Sequence, residues 1–165
     1  MSDDNPFRYS EGLTAANYRF GIVAARFNDS FVAKLLEGAL ERLQRAQAGK
    51  DQFDVVRVPG ALEIPLLCQK LAQTGRYDAL IALGCVIRGE TAHFDYVCSE
   101  SARGVLDVSL KFGLPVINGI LTVDTEQQAA ARSGMGKDGN NKGADAASCA
   151  LEMLAVIHHP PVKAP

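Results

Sequence analysis

Six consecutive residues contain four side chains that could take part in chemistry, namely Arg88, Glu90, Thr91 and His93. A cation, a carboxylate, a hydroxyl group and an imidazole at this spacing are suited to proton transfer and to phosphate binding. An apolar run precedes these residues, two glycines break the pattern around them, and a helical pattern follows them. A strand, a glycine turn and a helix start direct free backbone N–H groups at an anion. The stretch GCVIRGETAHFDYV, residues 84–97, is therefore a candidate acid–base and phosphate site.

Each of these side chains also has a purely structural interpretation. His93 could be a helix-start histidine with a satisfied hydrogen bond, and Arg88 could be only a solvated cation. Glu63 falls in the first turn of a predicted helix, where the helix dipole alone favours a carboxylate. Phe27 ends a predicted strand beside Asn-Asp-Ser, where it could pack or could present an exposed ring for stacking.

Two further cations lie near predicted helix ends. Arg132 comes late in its helix, where a positive charge is favourable by default. Lys142 comes at the start of the last helix, where a cation is disfavoured, and this placement suggests another role such as binding an anionic substrate.

The elements that must position these side chains alternate regularly along the chain. Four apolar segments without polar alternation predict strands, and each is followed by a helical pattern. This order predicts an α/β fold: a single-domain three-layer α/β/α sandwich, flavodoxin-like, with a four-stranded parallel sheet. The predicted strands are residues 19–27, 53–58, 79–83 and 115–123, and the predicted helices are 28–49, 64–75, 93–112, 125–134 and 144–157.

Composition and the chain ends set further limits. A length of 165 residues fits one domain, here residues 18–158, and a net charge of −2 without basic runs gives no reason to expect nucleic acid. No apolar stretch reaches the roughly 20 residues of a membrane span. The four scattered cysteines predict neither disulfides nor zinc, which indicates a cytoplasmic protein. Residues 1–17 are either an arm that packs on a neighbouring subunit through Phe7 and Tyr9 or a disordered leader, and residues 159–165 form a loose tail.

Six ordered blocks of sequence are distributed over residues 19–157: GIVAARFN (21–28), VPGALEIP (58–65), ALGCVIRGETAHFDYVC (82–98), PVINGILTV (115–123), EQQAAAR (126–132) and NKGADAA (141–147). Together they resemble the lumazine synthase family, which carries out the penultimate step of riboflavin biosynthesis. The resemblance implies a condensation that needs neither cofactor nor metal. In it, 5-amino-6-(D-ribitylamino)uracil reacts with 3,4-dihydroxy-2-butanone 4-phosphate to give 6,7-dimethyl-8-ribityllumazine, phosphate and water.

Matched block by block, the resemblance assigns residues to the pyrimidine substrate. An aromatic ring would stack on the heterocycle, a carboxylate would accept hydrogen bonds from ribityl hydroxyls, and three consecutive residues would present backbone groups to the ring. Leu62 and Asn118 stand where aromatics are frequent in the family, which shifts binding from stacking toward hydrogen bonding. The implied pyrimidine and ribityl residues are Phe27, Ala61, Leu62, Glu63, Cys85, Val86, Ile87 and Asn118.

The resemblance assigns the remaining candidates to the phosphorylated substrate and to proton transfer. Glu90 and Thr91 would bind phosphate at the helix start, and Arg132 would add a charge-assisted clamp. His93 would carry the proton transfers, and Lys142 is an additional candidate. The matched pattern assigns no ligand to Arg88.

Assembly is the last implication of the resemblance. Family sites lie between subunits of a homopentamer, and some members build a shell of about 60 subunits from such pentamers. The connection from Arg132 to Lys142 is about two residues longer than in shell-forming members, which favours a free pentamer. Association with riboflavin synthase is a further implied partnership. The alternatives are a non-catalytic lumazine- or flavin-binding or shell-forming paralogue and a generic flavodoxin-like nucleotide binder.

Overall fold

The computed structural model describes residues 12–159, and its centre is a four-stranded sheet. The strands are all parallel and lie in the order β2-β1-β3-β4, which confirms the predicted α/β fold. Their bounds are Phe20–Ala25 (β1), Phe53–Val58 (β2), Ala79–Ile87 (β3) and Val116–Val123 (β4).

Helices cover both faces of the sheet. The helices α1 and α5 pack on one face, and α2 and α3 pack on the other. Successive β3 residues alternate between the two cores, with Ile81 and Leu83 on the α1/α5 side and Leu80 and Ala82 on the α2/α3 side. The strand is apolar throughout because both of its faces are buried. The helices are Asp29–Arg45 (α1), Ile64–Gln73 (α2), His93–Phe112 (α3), Glu126–Arg132 (α4) and Lys142–His158 (α5).

Two glycines predicted as breaks do not end their elements. The strand predicted to stop before Gly84 continues through it to Ile87. A Cβ at Gly84 would lie 3.3 Å from the side chain of Ile120, a tight contact, so glycine here eases the close packing of Ile120 from β4. The first long helix ends at Arg45 rather than at Gly49, because the chain turns at Gln47 in the left-handed region with φ 72°.

Gly143 was predicted to lie in the loop before α5, but it lies inside that helix. The side-chain oxygen of Asn141 accepts hydrogen bonds from the backbone N–H groups of Gly143 (2.8 Å) and Ala144 (3.1 Å), so α5 begins one residue before Gly143. A Cβ at Gly143 would overlap the backbone of Leu35 in α1. The glycine therefore allows two helices to approach closely.

We expect Gly143→Ala to lower the free energy of unfolding by about 1–3 kcal/mol, because the added methyl group meets backbone rather than a movable side chain. Gly49→Ala is the matched control: its φ is −75°, and an added Cβ would lie 3.4 Å from the Gln52 side chain. The control should stay within about 0.5 kcal/mol of the parent. Urea unfolding of the three proteins measures both values, and equal midpoints would contradict the packing argument.

The chain ends are described only in part. Ala15 is buried, and its N–H donates to the carbonyl of Ala46 (2.6 Å), so this part of the predicted arm packs on its own chain. The proposed anchors Phe7 and Tyr9 and the tail from residue 160 lie outside the described residues. Within residues 12–159, no helix has the length and apolar character needed to cross a membrane.

Candidate active site

A cavity of about 370 Å³ lies at the carboxyl ends of β1 and β3. The starts of α2 and α3 complete its walls, which agrees with the usual position of ligands in a parallel sheet covered by helices. Its lining combines apolar groups with a few polar ones: Ala25, Phe27, Asn28, Gly60, Ala61, Leu62, Glu63, Cys85, Val86, Ile87, Gly89, Thr91, His93, Phe94 and Val97.

Phe27 presents its ring at this cavity because the chain leaves β1 in a defined way. Its N–H donates to the carbonyl of Pro59 (3.0 Å), which extends the pairing beyond β1. Asn28 then adopts the left-handed region with φ 58°, a conformation that Asn tolerates better than most residues. The Phe27 side chain remains 72% exposed, as a stacking surface requires.

Asn28 occupies the N-cap position of α1 but does not cap the helix with its side chain. Its Nδ2 donates instead to the carbonyl oxygen of Cys85, at 2.8 Å. This bond joins the end of β1 to the last part of β3 across the cavity. In the sequence, the signal for this contact was an Asn that directly follows an aromatic residue at the end of a predicted strand.

A short 3₁₀ turn, Ala61–Glu63, forms the second wall. Ala61 is buried, whereas Leu62 and Glu63 are exposed toward the cavity. Glu63 precedes α2 rather than lying in its first turn, and Pro65 occupies the first turn, where a missing N–H is tolerated. The carboxylate therefore remains next to the positive end of the helix dipole.

The residues Cys85, Val86 and Ile87 line the cavity at the end of β3. Pairing of β3 with β1 ends at Leu83, whereas pairing with β4 continues to Ile87. The edge of β3 that faces β1 is consequently free of a strand partner over the last four residues of the strand, where the carbonyl of Cys85 accepts the hydrogen bond from Asn28. Burial raises the pKa of the Cys85 thiol to about 11, so the thiol is protonated at neutral pH and supplies no thiolate nucleophile.

The turn between β3 and α3 carries the acid–base candidates. The N–H of His93 donates to Oγ1 of Thr91 (3.3 Å), and Glu90, Thr91 and His93 are all exposed. Thr91 and His93 line the cavity, whereas Glu90 does not. Because His93 is the first residue of α3, the free N–H groups of that helix point toward this turn.

The remaining candidates lie elsewhere, in a second cavity of about 380 Å³ along the free edge of β4. This second cavity is lined by Asn118, Arg132 and Lys142, none of which lines the first cavity. Arg132 is exposed and donates to the carbonyl of Gln128 at 3.1 Å. The ammonium group of Lys142 lies 2.7 Å from a carboxylate oxygen of Asp145, which balances a cation at this helix start.

Together these features define an α/β protein with a small-molecule site at the carboxyl ends of its strands. A sequence profile of the 6,7-dimethyl-8-ribityllumazine synthase family matches residues 17–158. A 6,7-dimethyl-8-ribityllumazine synthase from Desulfatibacillum aliphaticivorans is 53% identical over 148 residues, which cover 89% of this chain and 94% of that relative. The chain belongs to the 6,7-dimethyl-8-ribityllumazine synthase family.

Family membership confirms the enzymatic prediction from the sequence. The chain is a transferase-class enzyme of riboflavin biosynthesis, with small-molecule substrates and the oligomeric assembly typical of the family. Sequence reasoning gave no ligand role to six residues that also line the first cavity, namely Ala25, Asn28, Gly60, Gly89, Phe94 and Val97.

Proposed function

We propose that the first cavity is where the chain condenses 5-amino-6-(D-ribitylamino)uracil with 3,4-dihydroxy-2-butanone 4-phosphate. The products are 6,7-dimethyl-8-ribityllumazine, phosphate and water. The observation that carries this assignment is the exposed ring of Phe27 in the same cavity as the free edge of β3, with His93 at the start of α3. This combination suits a flat heterocycle that needs both stacking and main-chain hydrogen bonds.

The pyrimidine ring stacks on Phe27, and its polar edge bonds to main-chain groups of residues 85–87. The ribityl chain extends toward the 3₁₀ turn, where Glu63 accepts hydrogen bonds from its hydroxyls. Leu62 adds apolar contact in place of an aromatic ring. The apolar lining of the cavity and its few directed polar groups support this arrangement.

His93 moves the protons that the condensation requires. The substrate amine attacks the ketone, water leaves to form an imine, phosphate is eliminated, and the ring closes with loss of a second water. Each step transfers a proton, and an imidazole can both accept and donate one. The exposed position of His93 on the cavity wall supports this role.

The phosphate binds at the start of α3, through backbone N–H groups near Glu90 and Thr91, and Arg132 of a neighbouring subunit clamps it. Arg132 lies on the free edge of β4 and does not line the first cavity of its own chain. A head-to-tail ring brings this edge against the next subunit's first cavity. Asn118 and Lys142 approach the substrates from the same side.

The assembly that follows is a cytoplasmic homopentamer. The loop between α4 and α5 favours a free pentamer over a 60-subunit shell of about twelve pentamers. Riboflavin synthase, which would consume the product, is the proposed protein partner. The catalytic domain spans residues 18–158, with residues 1–17 as an arm and 159–165 as a tail.

Mixed subunits test the shared site. The parent protein is first mixed with both substrates, and lumazine absorbance is followed. His93→Ala and Arg132→Ala are then refolded together, and turnover should recover to about a quarter of the parent value, because a quarter of the interfaces pair an intact His93 with an intact Arg132.

Each variant refolded alone is the control and should stay at low activity, with dihydroxybutanone phosphate held below the parent KM because Arg132→Ala loses affinity for this substrate rather than kcat. Light scattering on the same samples gives the number of subunits. Intact pentamers without recovered turnover would show that both groups belong to one chain. A parent protein that folds but makes no product would overturn the assignment of the reaction.

A further inference from the structure

Arg88 connects the end of β4 to the start of α3. Its N–H donates to the carbonyl of Val123 (2.9 Å), which continues the β3–β4 ladder by one residue. Its Nε lies 2.7 Å from Oδ1 of Asp124, and its Nη1 lies 3.4 Å from Oδ1 of Asp95. Its guanidinium carbon lies 4.2 Å from the centre of the Phe94 ring.

The partners of Arg88 lie on both sides of the turn that carries the candidate reacting groups. Asp124 directly follows β4, and Phe94 and Asp95 directly follow His93. Among the described residues, the hydrogen bonds of residues 89–93 are local. The N–H of His93 donates to Oγ1 of Thr91, and the N–H of Asp95 donates to the carbonyl of Ala92. Arg88 therefore supplies side-chain links between this turn and the sheet.

We propose that Arg88 is a positioning residue for the condensation, which fixes the start of α3 against the end of β4 and so holds His93 and Thr91 at the cavity. This inference rests on the roles proposed above for His93 and Thr91. Arg88 itself does not line the cavity, so it acts through its neighbours. From the sequence, Arg88 was a candidate of the stretch 84–97, with a solvated cation as the alternative, and the family pattern assigned it no ligand.

The geometry calls for an arginine. A planar guanidinium can bond to two carboxylates and lie over a ring at the same time, whereas an ammonium group offers one point charge. Arg88, Asp95 and Asp124 are each about half exposed, and exposed ion pairs contribute little to global stability. The main effect of the cluster is therefore on orientation, to which reaction rates are sensitive.

Arg88→Met should lower kcat by about 10- to 100-fold, because small displacements of a reacting group cost this much. The KM for the pyrimidine should change less than about twofold, and the thermal midpoint should change little. The matched control is Arg103→Met. Like Arg88, Arg103 pairs with two exposed carboxylates, but its partners Glu100 and Asp107 both lie within α3, so it makes no link from this helix to the sheet. Its kinetics should equal those of the parent.

Two further variants separate positioning from other roles. Arg88→Lys should rescue part of the kcat loss, since lysine retains one ion pair and the contact with Phe94. Asp124→Asn should lower kcat, and the double variant Arg88→Met/Asp124→Asn should be no slower than Arg88→Met, because both changes break the same link. If Arg88→Met raised only the KM for the phosphorylated substrate and Asp124→Asn had no effect, Arg88 would be a ligand, and the proposal would be overturned.

Amide hydrogen exchange provides a readout that does not depend on turnover. Residues 89–93 should exchange faster in Arg88→Met than in the parent or in Arg103→Met. Unchanged exchange in this turn, or a kcat within about twofold of the parent, would overturn the proposal. If the parent made no lumazine, the proposed function would fail, and faster exchange would still show that Arg88 holds the turn.

Discussion

His93→Ala is expected to lower kcat by about 10²–10⁴-fold, the usual contribution of a general acid–base group. The imidazole is exposed on the wall of the cavity to which we assign the condensation. Turnover should remain measurable, because the cavity still holds and orients both substrates. Steady-state kinetics with each substrate varied in turn measures the effect.

The control is His159→Ala. The neighbouring His158 stacks on Tyr18, which precedes β1, so this end of α5 lies at the opposite end of the sheet from the cavity. His159→Ala should therefore keep the parent kcat. A His93→Ala protein with an unchanged kcat would remove His93 from the mechanism.

Arg132→Ala has the second large expected effect, on the phosphorylated substrate alone. A hydrogen bond to a charged group is typically worth about 1.5–3 kcal/mol. The KM for dihydroxybutanone phosphate should therefore rise by about 10- to 100-fold. Pyrimidine affinity should barely change, and thermal stability should be retained because the side chain is exposed.

Lys137→Ala is the corresponding control. Lys137 is an exposed cation in the loop between α4 and α5, and it lines neither cavity. Its removal should leave both KM values at the parent level, which excludes a general effect of net charge. If Arg132→Ala instead abolished pyrimidine binding, the phosphate assignment would be wrong.

The order of elements and the parallel sheet could be predicted because they depend on local pattern. The central strands β1 and β3 are apolar and buried on both faces, which is typical of a sheet covered on both sides. Gly84 and Gly143 were misinterpreted for the opposite reason. Both were taken as local breaks, but each allows a close contact with an element distant in sequence, Ile120 for the first and Leu35 for the second.

The site was only partly predictable for the same reason. Residues near one another in sequence, such as Thr91 and His93, could be grouped from spacing alone. The link from Asn28 to Cys85 spans 57 positions, and the link from Arg88 to Asp124 spans 36. Such contacts depend on strand register, which the sequence of one strand does not specify.

The early end of the β1–β3 ladder has a consequence for mutational tolerance. The edge of β3 that faces β1 has no strand partner beyond Leu83, because pairing with β1 stops there. Replacing Val86 with another β-branched residue would change the cavity wall but would leave this edge in place. In the proposed site, main-chain recognition of the ring is encoded in strand lengths, and it should tolerate drift in side chains better than a one-residue shift between β1 and β3.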